Sequence, residues 1–226
     1  MAGPAQWWSS LVVVAVAVAL TFAAAPSLAG DPDYLQDICV ADLNSEVKVN
    51  GFPCKANATA EDFFSGVLAK PAATNTTTGS AVTAANVEKV PGLNTLGVSL
   101  SRIDYAPGGG LNPPHTHPRA TELVFVLYGD LDVGFVTTSN KLVSKTISQG
   151  DVFVFPRGLV HFQRNIGDKP AAVISAFNSQ LPGTQSVAVS LFGASPELPD
   201  EVLATAFQID GEEVDKIKAK FAPKKT

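Results

Sequence analysis

From Leu96 to Phe192 the chain alternates short apolar runs with turns. The runs are Leu96–Tyr105, Glu122–Tyr128, Leu131–Val136, Leu142–Ile147, Val152–Phe155, Leu159–Gln163, Ala171–Phe177 and Val187–Phe192. Between them stand turn residues, among them Ala106-Pro-Gly-Gly-Gly110, Gly129-Asp130, Ser139-Asn140, Gly150-Asp151 and Gly167-Asp168. Short runs rich in valine, leucine and aromatics, bounded by such residues, predict strands, and many at this spacing predict an antiparallel sandwich or barrel. No long amphipathic helical pattern interrupts them, which counts against an α/β fold.

The flanks read differently. Residues 30–60 are mixed, with a turn at Asn50-Gly51. Glu61-Asp-Phe-Phe-Ser65 predicts a short helical turn, and the Ala-, Thr- and Asn-rich stretch Ala72–Ala84 a loop. Beyond Phe192, acidic residues lead Asp200–Phe207 and Val214–Phe221, and lysines close the second, which predicts two short helices. Val202, Leu203, Ala206 and Phe207 share one face of the first; Val214, Ile217 and Phe221 share one face of the second. Glu122–Tyr128 is apolar on both faces, with Val124, Val126 and Tyr128 on the side of Glu122 and Leu123, Phe125 and Leu127 on the other. A wall exposed to water alternates more clearly. Either further copies of the chain or a second layer of the same chain covers the outer face.

Composition adds a compartment. The run Leu11–Ala25 is apolar and short of the roughly 20 residues that span a bilayer, and Ser27-Leu-Ala29 suits a signal peptidase. Cleavage near Ala29 leaves about 197 residues, the size of one large domain. The net charge of -5, with basic residues concentrated only in the Lys216–Lys225 tail, argues against nucleic-acid binding. Cys39 and Cys54 are the only cysteines. In an exported chain they predict a disulfide worth roughly 3 kcal/mol by loop closure; a redox centre is the rival reading, without a Cys-x-x-Cys to support it. Asn57-Ala-Thr59 and Asn75-Thr-Thr77 are glycosylation sequons.

The chemistry lies in three histidines. His115 and His117 stand two apart, so an extended strand turns both imidazoles to one face. Glu122 follows. His161 stands among Leu159, Val160 and Phe162 beyond the turn Pro156-Arg-Gly158. These residues could hold a divalent ion. The bland alternatives are a surface His pair and a core histidine satisfied by hydrogen bonds.

Gly109-x5-His115-x-His117-x4-Glu122-x6-Gly129 resembles the first conserved box of the cupins, and more narrowly that of the plant germins and germin-like proteins. Gly150-x5-Pro156-x-Gly158-x2-His161-x3-Asn165 resembles their second box. Asp37-Ile-Cys39-Val-Ala-Asp42 with Cys54 is similar to the family's N-terminal disulfide segment, and Ala176–Gly183 and Leu191-Phe-Gly193 to its late strands. The resemblance implies an all-β jelly-roll barrel with short C-terminal helices, and Mn²⁺ held by His115, His117, Glu122 and His161. It implies a hexamer, a trimer of dimers, in the plant extracellular matrix (apoplast or cell wall), with the C-terminal helices in the assembly. The chain then divides into a signal (1–29), a disulfide-linked extension (30–70), the barrel (71–193) and a helical segment (194–226).

Activity is expected to be superoxide dismutation, producing hydrogen peroxide in defence; a metal-stabilised wall protein or a receptor without turnover is the alternative. Family members that oxidise oxalate hold it with two asparagines. Asn112 matches one; Ser101 stands at the other, and a serine hydroxyl is shorter and cannot present an amide's donor and acceptor together. Gly108-Gly-Gly-Leu-Asn112 is also one residue longer than in those oxidases. Gln163, Asn165 and Tyr128 are candidates to support the site by hydrogen bonds, Arg119 to attract anions, and Phe153, Phe155 and Phe162 to form core or pocket wall.

Overall fold

A computed structural model describes residues 36–48 and 50–221. The signal read over 1–29 and the end of the lysine tail lie outside the described residues. Two five-stranded antiparallel sheets face each other. One is ordered β1 (Ser80–Ala85), β2 (Ser99–Tyr105), β9 (Ala171–Phe177), β4 (Glu122–Tyr128) and β7 (Val152–Phe155). The other is ordered β10 (Gln185–Ser186), β3 (Leu111–Thr116), β8 (His161–Asn165), β5 (Leu131–Val136) and β6 (Leu142–Ile147). This is the predicted all-β jelly roll. Its core is the alternate, inward set of side chains from both sheets: Ile103, Tyr105, Val124, Val126, Leu131, Val133, Ile147, Phe155, Ala171 and Val173.

Gly129 turns β4 into β5 with φ +87°, and a Cβ there would lie 2.4 Å from that of Ala171. Both conformation and space therefore require glycine.

Three elements depart from the pattern. β1 forms within the stretch read as a loop. Its small residues carry little apolar signal, yet it pairs with β2 along its whole length, from Ser80 opposite Tyr105 to Ala85 opposite Leu100. The run Val187–Phe192 is a helix, α1, and only Gln185–Ser186 before it extends the sheet. A six-residue run apolar all round fits either period, so pattern alone does not separate them. The strand read as Leu159–Gln163 is shifted to His161–Asn165: after the turn at Arg157-Gly158, Leu159 and Val160 still lie outside it.

Helix α2 spans Asp200–Phe207 and α3 Gly211–Phe221. The latter begins ahead of Val214 because the Asp210 carboxylate accepts the Glu213 amide, an N-cap that starts the helix early. Leu203 and Val214 are buried, and Lys218 on α3 reaches Asp200 and Glu197 at the head of α2. Val202 and Phe207 stay exposed, so the apolar face expected of α2 is buried only in part.

Cys39 and Cys54 form a disulfide. Asn94, fully buried, docks this loop on the barrel: its amide donates to Phe52 O and Cys39 Sγ and accepts from Gln180 Nε2. Part of the outer face of the first sheet is uncovered in the single chain, with Leu100, Leu123, Phe125, Val152 and Val154 all exposed. Beside them the Arg102 guanidinium pairs with Asp104 and donates to Tyr128 Oη and Leu68 O, while Asp104 accepts the Ala72 amide. This ties residues 68–72 across the sheet. A register shift between Val126 and Tyr128 turns Tyr128 to this outer network, away from the face of Glu122 on which simple alternation puts it.

Replacing both cysteines by serine is expected to lower unfolding free energy by about 3 kcal/mol, from the loop-closure entropy of a 15-residue separation. Denaturant titration of the two proteins checks this.

Candidate metal centre

The two sheets bring together what the sequence separates. His115 ends β3 directly opposite His161 at the start of β8, and His117 follows in the turn after β3. Glu122 opens β4 on the facing sheet. All four are buried, and their ligand atoms lie within 4.8 Å of one another. Phe155 stacks on the His161 ring at 4.5 Å and Phe177 meets His117 edge-on at 4.8 Å, so aromatic rings line this end of the barrel.

Backbone carbonyls set two tautomers. His115 Nδ1 lies 2.8 Å from Pro113 O, and His161 Nδ1 lies 2.8 Å from Leu159 O. A carbonyl oxygen only accepts, so both Nδ1 atoms carry hydrogen and donate. In the neutral ring Nε2 is then a bare lone pair aimed into the site. Near His117 Nδ1 stands the Thr184 hydroxyl at 3.4 Å.

The Glu122 carboxylate is the centre of this arrangement. Its Oε2 lies 2.9 Å from His161 Nε2 and 3.1 Å from His117 Nε2. The His117 contact is misaligned for a hydrogen bond, which leaves that buried nitrogen without a donor or acceptor partner. Lone pairs and a carboxylate at such distances need positive charge among them, supplied by a proton on a ring or by a cation. Burial pushes the Glu122 carboxyl up, but the neighbouring His117 and His161 rings outweigh it and hold the group well below the ordinary carboxylate range. Burial, reinforced by His161, pushes His115 down to about 4. One ionised carboxylate and three imidazoles, two of them with Nδ1 held by a backbone carbonyl so that Nε2 turns to the site, form a donor set that fits a divalent metal ion.

On the other side Glu122 Oε1 accepts the Ser175 hydroxyl at 2.7 Å and Gln163 Nε2 at 3.3 Å. Gln163 Oε1 in turn accepts Asn112 Nδ2 at 2.7 Å and Tyr105 Oη at 3.2 Å. Asn112 and Gln163 therefore belong to the site. Ser101 is buried on the inward row of β2, directly opposite Ser175 on β9. Asn165 does not join them; its amide staples a turn by bonds to Ala106 O and Lys169 O. Arg119 is exposed, its Nε donating to Leu181 O. Phe155 is both core and site wall, Phe153 packs against the core, and Phe162 is half-buried.

Ser175 and Tyr105 escape a reading of motifs. The signal for Ser175 is a lone hydroxyl among the inward positions of an apolar strand, between Val173 and Phe177; Tyr105, beyond Ile103 on a row that also carries Ser99 and Ser101, has no comparable signal.

A facing pair of antiparallel sheets with a His-rich centre near one end defines the cupin class, and the Cupin family profile matches residues 67–215. Germin-like protein 5-1 of Oryza sativa subsp. japonica is 72% identical over 213 residues, covering 94% of this chain and 96% of its own. The rhicadhesin receptor of Pisum sativum is 67% identical over 195 residues, covering 85% and 89%. Among solved structures, a recombinant oxalate oxidase in complex with glycolate is 48% identical with a TM-score of 0.81, covering 84% of this chain and 98% of that one. The chain belongs to the germin-like proteins.

In the metal-free protein His115 makes stability depend on pH. The unfolded ring takes up a proton near 6.5, the folded one only near 4, so the unfolded state binds more protons between these values. The His115 contribution is complete above pH 6.5 and falls as pH drops toward 4, by on the order of 3 kcal/mol. Denaturant midpoints of the apoprotein across this window are expected to show that slope, flattened in His115→Gln.

Proposed function

We propose that this is a secreted metalloprotein that holds manganese through His115, His117, Glu122 and His161 and dismutates superoxide, releasing hydrogen peroxide in the plant extracellular matrix, where it serves defence. One observation carries the reading: four buried ligand atoms within 4.8 Å, with a carboxylate so close to ring nitrogens that positive charge must stand among them. Imidazole also suits zinc, copper, iron and nickel; manganese is preferred by the germin resemblance. When bound, a redox-active ion supplies a one-electron couple, so that two superoxide ions and two protons become dioxygen and hydrogen peroxide. The chain's own part is modest: three rings and one carboxylate oxygen hold the ion, Phe155 and Phe177 wall the site, and no larger substrate pocket is required.

Oxalate oxidation asks for more. The relative that carries that name is 48% identical, but the family's second substrate-holding asparagine is Ser101 here. Asn112 is present, with its amide engaged by Gln163. We place oxalate turnover well below dismutation. The pea relative named as a receptor, 67% identical, supports a second reading: the same metal stabilises a barrel that binds a ligand without turnover.

Secretion rests on the signal-like first 29 residues, and among the described residues no helix is long and apolar enough to cross a membrane. Asn57 and Asn75 are exposed, as glycan attachment requires. Assembly, as a trimer of dimers in this reading, would cover the exposed row Leu100, Leu123, Phe125, Val152 and Val154, together with Val202 and Phe207 on α2. Rows of this kind cost solubility in a monomer.

Protein secreted from plant cells is expected to contain close to one manganese per subunit and to turn over superoxide, with both lost in His161→Ala. A fully loaded protein inactive toward superoxide and oxalate transfers the weight to the receptor reading. Separately, Phe125→Glu is expected to shift the oligomer toward smaller species in sedimentation velocity while the fold is retained.

A further inference from the structure

We infer that Ser175 is a positioning residue of the metal centre: its hydroxyl, with the Gln163 amide, engages one oxygen of Glu122 so that only the other is presented to the ion. The inference rests on the metal reading above.

β9 turns Ala171, Val173, Ser175 and Phe177 inward, and Ser175 is the one with a hydroxyl. It is fully buried, where an unpartnered hydroxyl is costly. Its Oγ donates to Glu122 Oε1 at 2.7 Å, the short distance of a bond to an ionised acceptor. Gln163, also fully buried, donates to the same oxygen. The Gln163 amide is held the right way round by two donors on its own oxygen, Tyr105 Oη and Asn112 Nδ2. A flipped amide would set its NH2 group against that of Asn112 and its oxygen against the Glu122 carboxylate. Burial keeps the Tyr105 hydroxyl protonated and therefore a donor.

The carboxylate is thus divided. Oε1 accepts two hydrogen bonds from β9 and β8; Oε2 faces the Nε2 atoms of His117 and His161. A carboxylate without the Ser175 bond is free to rotate and offer both oxygens to one ion, which would fill a coordination position otherwise open to water or substrate. Hydrogen bonds to a ligand's far side also fix its direction before the ion arrives, and losing one weakens binding by roughly 10- to 100-fold.

The test compares wild type, Ser175→Ala and Val124→Ala in the full secreted chain. Val124 is fully buried directly opposite Ser175 on β4, so its truncation creates a cavity beside the same strand without removing a hydroxyl. Three quantities are read: Mn²⁺ affinity by chelator competition, thermal midpoint of the metal-free form, and water-proton relaxation of the Mn²⁺-loaded form, which reports exchangeable water on the ion. Ser175→Ala is expected to bind Mn²⁺ roughly 10- to 100-fold more weakly, with lower relaxation, and to lower the metal-free midpoint no more than Val124→Ala does. Val124→Ala is expected to lower the midpoint while affinity holds. Should Ser175→Ala fail to fold, Tyr105→Phe carries the test, since it deletes one of the two donors that orient Gln163 and nothing else; its expected loss is at the lower end, about tenfold. Wild-type affinity and relaxation in the variant tested, or an equal affinity loss in Val124→Ala, overturn the inference alone. A wild type that takes up no ion overturns the metal reading and the inference with it.

Discussion

An ionised carboxylate in the interior of a barrel is the constraint on which the rest of this structure depends. Glu122 is 1% exposed, and a buried charge costs several kcal/mol unless it is paired and hydrogen-bonded. Its partners come from both sheets: Ser175 from its own, His161 and Gln163 from the facing one, and His117 from the turn beyond β3. None of these is close to Glu122 in sequence except His117. The charge is therefore compensated only when the two sheets have closed on one another. Folding of the barrel and assembly of the site are one event, and an ion bound there adds its binding free energy to folding.

The same sheet has an outer face with different demands. Inward, β2, β9 and β4 contribute Ser101, Ser175 and Glu122; outward, they show Leu100 and Phe125 around the Arg102–Asp104 pair. That ion pair is buried by residues 68–72, whose backbone supplies a carbonyl to Arg102 and an amide to Asp104. The N-terminal extension is thus part of the domain's packing. Its disulfide loop reaches the site end of the barrel by a second route. Asn94 joins Phe52 to Gln180, and the next residue, Leu181, accepts from Arg119 beside the ligand turn. Cross-linking Cys39 to Cys54 stabilises a segment that supports the rim of the metal centre.

How much of this was legible in the sequence follows from what each feature depends on. The ligand set could be read because its chemistry is scarce and local: three histidines, two of them at strand spacing beside a glutamate, in boxes that resemble those of the germins. Strand existence could be read from apolar alternation. Features that depend on a distant partner could not. β1 exists because β2 offers it hydrogen bonds, and its own Ala and Thr residues scarcely announce it. Tyr128 was placed on the wrong face because one irregularity in pairing with β9 inverts the alternation beyond it. Ser175 looks like a neutral substitution in a strand until pairing with β4 brings its hydroxyl, one inward position along from Phe177, within reach of Glu122.

These separate legibilities bear on substrate. The candidate ligands, three rings and one carboxylate, bear on capacity for chemistry more than on its object. Selectivity belongs to the inward residues around them. Here Ser101 and Ser175 face each other across paired strands, and Asn112 is bonded to Gln163, whose other end holds the carboxylate. Polar groups that other chemistry would use to grip a carboxylate substrate are, at Asn112, already engaged in orienting a ligand, and at Ser101 are too short to replace an amide. On the proposed reading, a site arranged in this way would hold its ion firmly and its substrate loosely. That suits a small anion which need only reach the metal, and it suits poorly a larger one which must be held in a fixed pose while a carbon–carbon bond breaks.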